Sequence, residues 1–169
     1  AEVHGHTSPN PWVGAVVVAN GEVVGSGATA PPGSAHAEIS ALNQAGEKAQ
    51  DATLYTPLEP CHHQGRTGPC TEAIIKAGIT KVVVGGQDPD PQVVGRGIEY
   101  LRGAGLEVVV GCLNEEINQQ LAAYLHHRRT GLPYVVLKLA TTLDGRIAAP
   151  DGSSTWITGP EARAAVQQI

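Results

Sequence analysis

The sequence predicts an α/β fold in which helices cover both faces of a largely parallel sheet. Three observations predict it. Short apolar segments that read as strands (Thr53–Thr56, Lys81–Gly85, Leu106–Val110) are separated by helical stretches of about ten residues, the pattern of strand–helix–strand crossovers. Ahead of them, two apolar runs flank Asn20-Gly21, the strongest short hairpin signal. The composition is that of a folded chain, since 41% of the 169 residues are hydrophobic and 16% are charged.

The elements follow in order. Val13–Val18 and the residues around Val23 and Val24 form the opening hairpin. Pro31, Pro32 and Gly33 end that pattern, and Ser34 is placed to cap a helix over His36–Ala45 that Gly46 terminates. Thr53–Thr56 is a strand, and Pro57–Gly68 is a loop rich in Pro, His and Gly. A helix over Pro69–Ala77 has proline at its start and Gly78 after its end. Lys81–Gly85 is a buried strand, Val94–Gly103 a helix and Leu106–Val110 a strand. Glu115–Arg128 is a helix with Ile117, Leu121 and Leu125 on its apolar face. A new order begins near Thr130-Gly131, with a strand over Tyr134–Leu139, a polar stretch, and a helix opening at Gly159-Pro160-Glu161. A lone strand and helix bury no core. Residues 1–130 are therefore read as one domain and 131–169 as the N-terminal part of a second.

Phe and Met are both absent, so the core must be built from Val, Ile, Leu and Ala. A net charge of −5 argues against a general nucleic-acid binder, which carries a basic stripe, but leaves room for a small anionic substrate. The run His126-His127-Arg128-Arg129 is accounted for by the electrostatics of a helix C-terminus. No apolar run approaches the roughly 18 residues of a membrane span. Three cysteines fit thiolate ligands in a reducing compartment better than a disulfide framework, which predicts a cytoplasmic protein.

The chemistry is concentrated in His36-Ala37-Glu38, Pro60-Cys61 and Pro69-Cys70. One imidazole and two thiolates give a tetrahedral zinc three protein ligands and leave one position for water. Zinc lowers the pKa of that water towards ~7, making a nucleophile for a carbon that bears an exocyclic amine. Glu38, two residues from the ligand histidine, is placed to carry the proton from water to the leaving nitrogen. Helix N-termini at His36 and Cys70 favour thiolate over thiol. Cys112 falls outside this set and is expected to be a small buried hydrophobe. The rival reading is a structural zinc that takes His62 or His63 as a fourth ligand.

Zinc nucleobase deaminases carry H-x-E followed by P-C-x-x-C. Here the second cysteine lies at position 70 and the first at 61, a longer insert. His36-Ala37-Glu38, the segment Leu58–Cys70 with its Gly65-Arg66-Thr67, Asp88-Pro89-Asp90-Pro91 and Thr7–Ala15 together resemble the deaminase domain of the RibD family of riboflavin-biosynthesis proteins. The resemblance implies a three-layer α/β/α, cytidine-deaminase-like domain with a mixed five-stranded sheet. It implies hydrolytic deamination of diaminohydroxyphosphoribosylaminopyrimidine to 5-amino-6-(5-phosphoribosylamino)uracil. It further implies that Asn10 contacts the pyrimidine or its sugar, and that the insert walls the pocket. His63, Arg66 and Thr67 there supply donors for a phosphate or ring oxygen. The tail, Pro133–Ala148 with Gly152–Thr158, resembles the start of that family's reductase domain, which is dihydrofolate-reductase-like and uses NADPH. This resemblance implies that Ala140 and Trp156 contact NADP and Ser154 contacts substrate, and it makes Lys138 a candidate for reductase chemistry. The expected partner is a small phosphorylated pyrimidine, with no nucleic acid and no membrane, and a homo-oligomer is expected. The alternatives are a related deaminase acting on a tRNA adenosine or on a free base or nucleoside, and a non-catalytic zinc module.

Overall fold

Strands β1 (Gly14–Ala19) and β2 (Glu22–Ala28) pair antiparallel through a turn in which Asn20 and Gly21 take φ of 52° and 81°. Two successive positive φ values define a type I′ turn, which is why this dipeptide serves. The register shifts between Val17 and Val18, a bulge in the hairpin. Strand β3 (Thr53–Leu58) pairs antiparallel with β1 and parallel with β4 (Lys81–Gly86), which in turn pairs parallel with β5 (Glu107–Val110). The sheet is therefore mixed, in the order β2-β1-β3-β4-β5, with β3 at its centre. This is a computed structural model, and it describes residues 7–8, 10–64, 68–91 and 93–167.

The helices complete a three-layer α/β/α arrangement. They are α1 (Ala37–Ala45), α2 (Cys70–Lys76), α3 (Arg96–Gly103), α4 (Asn114–Gln120) and α5 (Ala122–Thr130). Helix α1 lies against β1 and β2 and beside α2, while α4 packs on β4. Val17, Leu54, Val82 and Val84 from the sheet and Ala41, Ile74 and Leu101 from the helices are fully buried, a core made without phenylalanine or methionine. Gly25 and Gly27 of β2 face α1. A β-carbon on either would collide with the α1 backbone at Ala41 or Ala37, so the helix rests directly on the strand.

Several local expectations give way. Ser34 does not cap α1. The cap position belongs to His36, in extended conformation (φ −69°, ψ 161°) and without a side-chain cap bond, because its ring is turned to another use. Gly46 opens a 3-10 turn over Gly46–Ala49 rather than simply ending the helix. The single helix read across Glu115–Arg128 is two, since Leu121 leaves helical geometry (φ −101°, ψ 15°) as it enters the core beside Leu125. Cys112 is exposed, not buried, because it follows the edge strand β5 in a turn that no layer covers.

The chain divides into two compact units, 1–134 and 135–169. In the second, the strand expected over Tyr134–Leu139 is absent. No neighbouring strand is described there to satisfy its backbone, and Val135 and Leu137 are exposed. Helix α6 (Pro160–Val166) does form, with proline in its first turn. Among the described residues no helix is long and apolar enough to cross a membrane.

Candidate metal centre and active site

His36 at the cap of α1, Cys61 in the loop after β3 and Cys70 as the first residue of α2 converge. His36 Nδ1 lies 3.3 Å from Cys70 Sγ and 3.6 Å from Cys61 Sγ. Tetrahedral zinc with ordinary Zn–S and Zn–N bonds requires an N-to-S edge of about 3.5 Å, so the donor set fits that ion. Among the described residues this trio is the cluster able to hold a metal, its ligand atoms all within 4.8 Å of one another. Among the described residues no fourth ligand atom joins it. The His62 ring instead meets Thr71 Oγ1 at 2.9 Å and stacks on Tyr100 at 3.8 Å.

The three ligand atoms are electrostatically coupled. The hydrogen bond from Cys70, then that from His36, pull the Cys61 thiol down to about 4 against the cost of its burial. The hydrogen bond to the Cys61 sulfur, and after it burial, push the Cys70 thiol up. Hydrogen bonding to Cys61 raises the His36 imidazole. Three ligand atoms thus compete for protons that a divalent ion would displace.

Glu38 lies in the first turn of α1 and is only 5% exposed. Burial pushes its carboxyl above the ordinary carboxylate range. It shares with His36 and Cys61 a cavity of about 260 Å³, also bordered by Asn10, His63, Thr29, Asp88, Asp90, Tyr124 and Arg128. His63 Nδ1 is buried without a hydrogen-bond partner among the described residues.

Glu59 holds the loop that carries Cys61. Its Oε1 accepts the N–H groups of Gly97 (2.8 Å) and Ile98 (3.0 Å), and its Oε2 accepts that of Gly95 (2.8 Å). A carboxylate on the N-terminus of α3 satisfies donors that a helix start leaves unpaired. Gly97 permits the contact, since a β-carbon there would run into the Pro60 carbonyl oxygen.

The structure therefore gathers His36, Glu38, Cys61, Asn10 and His63 around one cavity, with Cys70 completing the metal trio. Arg66 and Thr67 lie outside the described residues. In the second unit Lys138, Ala140, Ser154 and Trp156 border a hollow of about 450 Å³. Sequence reasoning passed over Tyr124 and took Arg128 for a helix-end charge. Both border the cavity that holds Glu38, and their i, i+4 spacing on α5 was the signal available.

Comparison with known proteins agrees with the geometry. Residues 1–86 match the cytidine and deoxycytidylate deaminase zinc-binding region, and residues 133–169 match the RibD C-terminal domain. The chain is 52% identical to riboflavin biosynthesis protein RibD of Escherichia coli (strain K12), covering 96% of this chain and 44% of that protein. It is 54% identical to the Aquifex aeolicus protein of the same name, covering 94% of this chain and 45% of that one. The chain thus spans less than half the length of the curated relatives it matches. Among solved structures, the diaminohydroxyphosphoribosylaminopyrimidine deaminase/5-amino-6-(5-phosphoribosylamino)uracil reductase of Thermotoga maritima superposes with a TM-score of 0.88 at 44% identity, over 95% of this chain and 46% of that one. Form 1 of Acinetobacter baumannii RibD gives 0.86 at 49% identity, over 95% and 45%.

Proposed function

Because this chain belongs to the RibD family, with a deaminase zinc-binding region and the start of a RibD C-terminal domain, we propose that its first unit hydrolyses diaminohydroxyphosphoribosylaminopyrimidine to 5-amino-6-(5-phosphoribosylamino)uracil. The observation that carries this reading is the placement of a buried carboxyl, Glu38, in the same cavity as the metal trio.

His36, Cys61 and Cys70 would hold zinc. Bound there, zinc would supply Lewis acidity that lowers the pKa of a water towards ~7. Glu38 accepts a proton from the attacking water as the water oxygen bonds the ring carbon bearing the amine. Glu38 then donates the proton to the exocyclic nitrogen, the C–N bond breaks and ammonia leaves. Burial helps both steps, because a carboxylate held above its ordinary range is a stronger base towards water, and once protonated it keeps the proton until the more basic leaving nitrogen takes it. Asn10 and His63 line the cavity and offer hydrogen bonds that orient the ring. Arg66 and Thr67 are assigned to the phosphate. We read residues 131–169 as the opening of a reductase domain, in which Ala140 and Trp156 contact NADPH, Ser154 contacts substrate and Lys138 serves the chemistry. The free thiols of Cys61 and Cys70 suit a reducing cytoplasm.

The test is Glu38→Gln. Ammonia release should fall by about 10²–10⁴-fold, the range for general acid–base catalysis, with one zinc per chain retained. Unchanged turnover would overturn the proposal.

A further inference from the structure

We propose that Tyr124 and Arg128 are positioning residues of this site. One helical turn apart on α5, they hold the carboxylates of Asp88 and Asp90 in the cavity wall and so set affinity for a ring that presents N–H donors. The inference rests on the deaminase reading of the cavity and adds an element, α5, that carries neither metal ligand nor proton carrier.

The Tyr124 hydroxyl lies 3.0 and 2.9 Å from the two oxygens of Asp88, sharing one proton between them. Arg128 Nη1 pairs with Asp90 Oδ2 at 3.3 Å, and its guanidinium carbon sits 5.4 Å from the centre of the Tyr124 ring. Asp88 Oδ1 also accepts the Asp90 N–H at 2.9 Å, which closes the turn that follows β4. Asp88 is 7% exposed, and all four residues border the cavity.

Two carboxylates drawn in from water beside a cavity that also holds Glu38 are costly to keep there. A short turn left to itself would swing them out to solvent. Tyr124 and Arg128 supply the opposing force: a phenol that stays protonated, because burial and Asp88 both push it up, and a guanidinium fixed by ring and carboxylate together. An ionised carboxylate only accepts hydrogen bonds, so the wall selects a ligand edge made of amino and ring N–H groups.

The experiment uses the full chain loaded with zinc and measures kcat and KM for ammonia release, together with zinc content. Tyr124→Phe removes one hydroxyl and keeps the ring beneath Arg128. It should raise KM about tenfold, the size of one hydrogen bond to a charged group, with kcat within about threefold and zinc unchanged. Arg128→Lys keeps the charge but loses the planar fork, and should raise KM in the same direction. It also provides the reading if the phenylalanine variant does not fold. A KM within about twofold of wild type in both folded variants would overturn the inference, as would a fall in kcat at constant KM. Wild-type protein that binds zinc yet releases no ammonia would overturn the deaminase reading, and the inference with it.

Discussion

Replacing Gly97 by alanine opposes two rules of known size. In an exposed helix interior the change stabilises by about 1 kcal/mol, because glycine is the more flexible residue. Gly97 is buried in α3, and its new β-carbon would overlap the Pro60 carbonyl oxygen and lie 3.2 Å from the Pro60 carbonyl carbon and 3.3 Å from Glu59 Cγ, against 3.4 Å or more in ordinary contact. Helix and loop must part by roughly 1 Å, and overpacking of this kind costs about 2 kcal/mol. The parting also stretches the bonds from Gly97 N–H (2.8 Å) and Ile98 N–H (3.0 Å) to Glu59, each worth about 1.5 kcal/mol to a charged acceptor. Set against the gain in helix propensity, the net loss is about 4 kcal/mol, or a fall in Tm of about 12 °C for a chain of this size. Because the same loop carries Cys61, zinc content should fall too. Gly103→Ala, at the other end of α3 with nothing within 4 Å of the added carbon, is the control and should hold or raise Tm. Thermal unfolding by circular dichroism and zinc titration of the purified proteins decide the matter. A Gly97→Ala protein as stable as the control, with full zinc, would refute the reasoning.

Removing zinc with a chelator should lower both Tm and ammonia release, and zinc added back should restore both, because binding energy here is folding energy. Cys70→Ser should behave like the chelated protein and resist rescue, and full activity in metal-free protein would contradict the assignment. A pH effect follows from Asp88, whose carboxyl burial holds above the ordinary value despite the Asp90 N–H, Tyr124 and Arg128. The folded chain keeps that proton longer than the unfolded one, so this contribution is present at low pH and lost as pH rises through the folded value. Asp88→Asn removes it, and the Tm of the variant relative to wild type should climb as pH rises above the ordinary aspartate value of about 4. A flat or falling difference would show that burial does not dominate at this residue.

The candidate metal trio was legible because its residue types have few other reasons to recur in that order. A histidine and a glutamate two apart, followed by two proline-preceded cysteines, make a poor core and a good zinc site. The opening hairpin was legible for a similar reason, since Asn20-Gly21 suits positive φ at both positions. What escaped depends on the packing of distant segments. Helical periodicity shows that Leu121 and Leu125 face inward, but not that the backbone breaks between α4 and α5 to bring them there. Nor does it show that the adjacent flank of α5 would set Tyr124 and Arg128 against the turn after β4. Cys112 looked like core because it follows three valines, yet β5 ends the sheet and the next turn has no cover. Tyr134–Leu139 has the composition of a strand, and composition supplies no partner strand.

Gly25 and Gly27 lie on an outer strand that reaches neither the ion's ligands nor the acid, yet they set the depth at which α1 rides. Imidazole and carboxyl travel on that helix, whereas the two sulfurs belong to the β3 loop and to α2. A methyl group added to either glycine would act as a shim, lifting one half of the side-chain cluster away from the other while leaving each half intact. The spacing between the His36 ring and the Glu38 carboxyl on one side and the Cys61 and Cys70 sulfurs on the other is thus gauged by two hydrogen atoms at the margin of the sheet.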